Sequence, residues 1–260
     1  MLGQGSMDQL WTTLMWIGDC RWRCLRMPTI AVLKVLRKTC DNDKDCRKAA
    51  RKLGELGVTS GGSILVSQAV IVGPYKSDNF TTITDAIAAA PNNARPEDGY
   101  FVIYAREGVY EEYIVVPINK KNLLLMGDGI NKTIITGNHN VVDGWTTYNC
   151  SSFAVTGERF MAVDVTFRNT AGPEKHQAVA LRNNAEGSTF YRCSFEGYQD
   201  TLYVHSLRQF YRECDIYGMI LLFIYIYIYI YVYIYIYLVI VLLEYEFIRF
   251  YINAFFIDTF

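Results

Sequence analysis

The chain has 260 residues, 51% of them hydrophobic and 20% charged, with a net charge of −1; that length suits one domain or two small ones. The charge is unevenly spread: residues 1–63 carry eleven Lys/Arg against six Asp/Glu, 64–218 thirteen against seventeen, and 219–260 one against three. A mildly acidic centre excludes the basic stripe that a nucleic-acid partner would require.

Seven cysteines (Cys20, Cys24, Cys40, Cys46, Cys150, Cys193 and Cys214) leave at least one unpaired within a monomer if the rest are oxidised. None forms the tight C-x-x-C pair of a zinc ribbon. Sequons stand at Asn79-Phe-Thr81, Asn131-Lys-Thr133 and Asn149-Cys-Ser151, a weak indication of a secreted chain. The N-terminus does not follow the order of a signal peptide, because Arg21, Arg23 and Arg26 come after the apolar run Leu10–Ile17 rather than before it. Within residues 1–63, Thr29 to Lys38 sets Ile30 and Leu33 on one face with basic residues opposite, which predicts a short amphipathic helix.

From residue 64 the texture changes. Thr82-Ile-Thr-Asp85 reads as a capping box, Ile83, Ile87 and Ala90 follow on one face, and Pro91 closes the helix. Short β-rich runs come next: Tyr100–Tyr104, Tyr113–Val116, Leu123–Met126, Thr133–Thr136, Phe153–Val155, Met161–Phe167, Ala178–Leu181 and Thr189–Phe195. Gly, Asn and Asp punctuate them, as turns demand.

A repeat organises these runs. Asp164-Val-Thr-Phe167-Arg-Asn169 aligns with Arg192-Cys-Ser-Phe195-Glu-Gly197, and that with Glu213-Cys-Asp-Ile216-Tyr-Gly218, at offsets of 28 and 21 residues. Repeats of this length predict a solenoid of stacked coils. A β-sandwich stays open as the alternative, since Asp128-Gly129 and Asp143-Gly144 are hairpin signals. The alignment puts Cys193 and Cys214 at equivalent positions of adjacent coils. Strands about 4.8 Å apart lie within the Cα range of a disulfide, and two stacked buried thiols fit the same position.

Residues 219–260 are of another kind. Met219 to Leu243 contains no charge, and Ile224 to Tyr237 is a near-strict Ile-Tyr alternation. The run is long enough to span a membrane, yet spanning helices keep Tyr at their interfaces rather than their centres. An ATATAT repeat in DNA reads as Ile-Tyr, so translated non-coding sequence after Gly218 is the preferred reading and a membrane anchor through 219–243 the second. Either origin leaves an open coil edge after Gly218 and a β-aggregating tail.

Several motifs in the centre together carry a resemblance: Gly108-Val-Tyr110-Glu-Glu112, Phe167-Arg-Asn-Thr-Ala-Gly-Pro173, Gln177-Ala-Val-Ala-Leu181, Tyr198-Gln-Asp-Thr-Leu-Tyr203 and Arg212-Glu-Cys-Asp-Ile-Tyr-Gly218. Over about 155 residues the chain resembles the plant pectinesterases, which remove methyl esters from cell-wall homogalacturonan. The resemblance implies an all-β, right-handed parallel β-helix, here incomplete, capped by the Thr82–Ala90 helix. It favours a Cys193–Cys214 disulfide over two thiols. It also divides the chain into an unassigned segment 1–63, a partial esterase domain 64–218 and an aberrant tail 219–260. No match to the family's helical pro-domain is found in 1–63, and Arg51-Lys-Leu53 only loosely resembles its processing site.

In this family an ionised Asp attacks the ester carbonyl while a protonated Asp donates to the departing methanol and later deprotonates water. Two carboxyls in opposite protonation states need different surroundings, and the tetrahedral oxyanion needs preorganised amide donors. Carried over residue by residue, Asp200 matches the proton donor, Gln199 the transition-state amide, and Gln177 and Thr147 substrate-binding positions. No Asp-Phe-Ile-Phe-Gly segment supplies the nucleophile and no Leu-Gly-Arg-Pro-Trp segment the Arg and Trp; Asp215 precedes the break and cannot stand in. His139, His176 and His205 lack a Ser or Cys triad context and read as structural or surface residues. No metal or organic cofactor is implied. The implied partners are pectin and a proteinaceous pectinesterase inhibitor, and the implied location is the cell wall after secretion. An esterase by descent that is inactive in these residues is the leading expectation; a non-catalytic pectin-binding or structural fragment competes with it.

Overall fold

The structure, a computed structural model, describes residues 64–218 and 248–257. The tail reading at 219–243 and the helix expected at 29–38 lie outside these residues.

The chain builds coils of short strands. One side is formed by β1 (Val66–Val72), β2 (Tyr100–Ala105), β5 (Leu123–Met126), β8 (Met161–Val163) and β11 (Ser188–Tyr191). A second is formed by β3 (Gly108–Glu111), β6 (Thr133–Gly137), β9 (Thr166–Asn169) and β12 (Ser194–Glu196), and a third by β4 (Ile114–Val116), β7 (Phe153–Val155), β10 (Leu181–Asn183) and β13 (Leu202–Val204). The long β14 (Gln209–Gly218) joins the first two sides, pairing with β11 through its first half and β12 through its second. Every pairing among β1 to β14 is parallel. This is a parallel β-helix, and it sets the β-sandwich alternative aside.

The repeat seen in the sequence marks one corner of this helix. Asp164, Arg192 and Glu213 all have positive φ, at 58°, 50° and 52°. A single left-handed residue turns the chain between two sides without ending the coil. The runs expected as single strands, Met161–Phe167 and Thr189–Phe195, are therefore each two strands broken at that residue. The corners also bond to one another, with Arg192 forking both guanidinium arms onto the Asp164 carboxylate at 2.8 and 2.9 Å. Three residues on, Phe167, Phe195 and Ile216 stack in register inside the coils, the two rings parallel with centroids 5.6 Å apart.

Helix α1 (Ile83–Ala89) buries Ile83, Ala86 and Ile87. Its cap differs from the expected box. The Thr82 hydroxyl accepts from the Asp85 amide, but the Asp85 carboxylate takes the Thr82 hydroxyl rather than returning to a backbone amide. The free amides of Ile83 and Thr84 go instead to the Glu112 carboxylate, each at 2.9 Å. A residue 28 positions away thus does the work expected of a local one.

At the other end, β15 (Ile248–Ile257) pairs antiparallel along the whole of β14. The open edge expected after Gly218 is covered there, with Ile252 buried against the core. On the third side β13 is the last strand among the described residues.

Candidate active site

The third side, β4, β7, β10 and β13, turns Ile114, Val116, Phe153, Val155, Leu181, Leu202 and Val204 into the core. Alternation sends the residues between them outward, so Val115, Ala154, Arg182 and Tyr203 form a ladder across the outer face in register. The Arg182 guanidinium lies over the Tyr148 ring at 3.6 Å, and His205 meets the same ring edge-on.

Gln177 and Gln199 lie directly upstream of β10 and β13 and pair through an isolated parallel bridge. Their side chains therefore stand one coil apart. Neither carboxamide has a hydrogen-bond partner among the described residues, and both residues are half-buried. Asp200 follows at once with φ at 60°, a conformation that Asp tolerates better than most residues. The turn is tight: a side chain on Gly197 would meet the Thr201 hydroxyl at 2.9 Å.

The Asp200 side chain is fully buried, and neither of its carboxyl oxygens has a hydrogen-bond partner. Burial pushes its pKa up to about 6, because a buried carboxylate without donors is poorly solvated in its charged form. A carboxyl raised in this way keeps its proton in mildly acidic solution, about two pH units further than an ordinary aspartate, the direction a general acid needs.

Thr147 lies half-buried in the loop between β6 and β7. Cys150 draws it to the other candidates: its thiol donates to the Thr147 carbonyl at 3.3 Å and lies 3.8 Å from the Gln177 carbonyl. The thiol also accepts from the Val179 amide. Burial, and secondarily the nearby Asp200 charge, raises its pKa. Asn169 completes the support, donating to the carbonyls of His139, Cys150 and Val179. Both residues escaped the sequence reading, Cys150 because it counted only as a thiol and Asn169 because it was one letter of a motif. The structure thus brings Thr147, Gln177, Gln199 and Asp200 to one region. An open cleft of about 450 Å³ is lined by Asn169, Glu196, Tyr198 and Tyr217 among others.

Cys193 and Cys214 face each other in register inside the coils, as Ser194 pairs with Asp215. Both are buried free thiols in the structure. Burial first, and then the adjacent Cys214 thiol, hold Cys193 well above its ordinary pKa. His205 is half-buried and bonded to the Ser206 hydroxyl at 3.1 Å, His176 is exposed, and His139 lies between two rings. Among the described residues no group of three or more His, Cys, Asp or Glu is placed to hold a metal.

A family model described as Pectinesterase matches residues 69–227, more than half of the chain. The chain belongs to the pectinesterase family. That is a family of carboxylic ester hydrolases, and its model runs past Gly218 into the uncharged segment. "Probable pectinesterase/pectinesterase inhibitor 25" of Arabidopsis thaliana is 90% identical over 195 residues, 75% of this chain and 32% of that protein. The alignment is longer than the segment 64–218, so the likeness reaches further than the central motifs alone suggest. "Probable pectinesterase/pectinesterase inhibitor 47" of the same plant is 76% identical over 196 residues, 75% of this chain and 31% of that one. The chain spans about a third of the length of these curated relatives. Among solved structures, a pectin methylesterase from carrot aligns with a TM-score of 0.55 at 48% identity, covering 57% of this pectinesterase chain and 46% of its own. A pectin methylesterase D178A mutant in complex with a hexasaccharide aligns at 0.51 and 32% identity, covering 57% and 49%.

Proposed function

We propose that this chain carries the acid and oxyanion half of a pectin methylesterase site and binds methyl-esterified homogalacturonan. One observation carries the reading: Asp200 is buried without a partner, its pKa is raised to about 6, and it adjoins two disengaged carboxamides, Gln177 and Gln199. Protonated, Asp200 donates to the oxygen of the departing methanol. The Gln199 carboxamide, with Gln177 beside it, stabilises the tetrahedral oxyanion without a change in its own charge. Thr147 contacts the polysaccharide. The cell wall, where such a substrate lies, is the proposed location, and an inhibitor protein of the kind paired in the relatives' names is a proposed partner.

These 260 residues contain no Asp-Phe-Ile-Phe-Gly segment, so the attacking carboxylate of the family reaction is missing. Residues that act as a catalytic set lose most of their benefit together. Methanol release from esterified pectin tests this with three proteins: the chain, its Asp200→Ala variant, and a version continued after Gly218 with a family C-terminus. The expected result is no difference between the first two and turnover only in the third. Asp200-dependent turnover by the unaltered chain, near that of the continued version, would overturn the assignment.

A further inference from the structure

Three aromatic side chains stack into a column beside this site. Tyr113, just before β4, lies on His139 with centroids 3.5 Å apart and planes 7° off parallel. His139 lies in turn on Trp145 at 3.8 Å and 15°. The two end rings remain open to solvent, Tyr113 at 44% and Trp145 at 42% exposure.

The loop holding them does not need Trp145 to keep its shape. Asn140 donates to the Asp143 carboxylate and accepts from the Asp143 amide, and Lys175 pairs with the same carboxylate. The Tyr113 hydroxyl bonds Asn138 twice, donating to its side chain and accepting from its amide. Gly144, at φ +95°, makes the turn that lays Trp145 on His139. The polar bonds thus pre-position a rigid ring whose outer face stays bare.

The column is continuous with the candidate site. Trp145 is two residues from Thr147, and the Val141 amide of the same loop donates to the Gln177 carbonyl at 3.1 Å. Strand β4 lies two coils from β10, so the Tyr113 end stands about 10 Å along the sheet from Gln177 at about 4.8 Å per coil. A polysaccharide lying across the coils reaches that far with neighbouring sugars.

We propose that the Tyr113–His139–Trp145 column is a remote subsite that stacks on the C–H face of a galacturonosyl ring several sugars from the one bound beside Asp200. This deepens, and rests on, the pectin-binding reading above. A flat aromatic plate offers dispersion contact and a negative face to the slightly positive C–H groups of a pyranose. It offers nothing to a free carboxylate, so a methyl-esterified ring is favoured over an ionised one.

The test is calorimetric binding of methyl-esterified oligogalacturonides to the 260-residue chain, comparing a hexamer with a dimer. Trp145→Ala should weaken hexamer binding about tenfold, as loss of an aromatic anchor does, and leave dimer binding unchanged. Trp145→Phe, which keeps a ring, should stay near the parent for both. Unchanged dimer binding also certifies that the variant is folded. Equal hexamer affinity for the parent and Trp145→Ala would overturn the subsite and leave the substrate reading intact. If neither oligomer binds the parent, the substrate reading fails and the subsite with it.

Discussion

Asp200 shows how one carboxyl acquires a raised pKa from its surroundings. Its folded pKa of about 6 lies above that of an unfolded aspartate, about 3.9. Between those values the folded state holds the proton more tightly, so this group favours folding below the lower pKa and loses that contribution as pH rises through the upper one. The shift corresponds to about 3 kcal/mol. Asp200→Asn should remove this slope and make the protein more stable than the parent above the titration, as urea unfolding on either side of it would record. A parent stability independent of pH across that window would show that Asp200 is solvated after all. Cys193 and Cys214 pose a related question of timing. Both thiols are buried, and burial holds the Cys193 pKa well above its ordinary value, so that thiol holds little thiolate, the reactive form. The proposed bridge should therefore form when the chain folds under oxidising conditions, and not when reduced folded protein meets an oxidant afterwards; mass analysis of trapped peptides reads the difference. Closing a loop of about twenty residues would add about 3 kcal/mol.

At the scale of elements, non-local groups hold local structure. Helix α1 is seven residues long, too short to persist in water unaided. Its first amides depend on Glu112, which also accepts from the Thr84 hydroxyl at 2.6 Å. Glu112→Ala strands those donors and should cost about 1–3 kcal/mol, the range for a group left unsatisfied; Asp85→Ala should cost less. Thermal unfolding of the two variants ranks them, and the reverse order would restore the local capping box. Asn169 acts likewise on the loop that carries Thr147. Its one amide group serves three carbonyls from three segments, so Asn169→Ala should loosen Thr147 relative to Gln177. The stranded carbonyls should lower the unfolding temperature, and weaker oligogalacturonide binding by the still-folded variant would be the signature.

At the largest scale among the described residues, the decisive feature is how the edge of β14 is covered. A solenoid requires a covered terminal coil, and an exposed strand edge templates pairing with other chains. Strand β15 supplies the cover on β14 by pairing along ten residues. A chain ending at Phe247 should therefore expose that edge and the core around Ile252, and run as oligomers or aggregate in size-exclusion chromatography. A monomeric, cooperatively unfolding product would show that β15 is dispensable.

The sequence by itself determined the strand material, the coil repeat and the chemistry-bearing letters. Phe167, Phe195 and Ile216 recur because stacked coils need like residues at like positions, and this local periodicity can be read along one line. The motif residues Thr147, Gln177, Gln199 and Asp200 were singled out through the family resemblance, and their roles are the proposal made above. Only the tertiary structure decided what depends on neighbours distant in the chain. Whether Met161–Phe167 was one strand or two turned on a left-handed corner at Asp164, whose carboxylate receives Arg192 from the next coil. The Glu112 cap, the Cys150 and Asn169 supports, the aromatic column and the strand closing β14 all join residues far apart in sequence. The raised pKa of Asp200 has the same origin: burial among other coils, without donors, shifts it, and no neighbour in sequence encodes that.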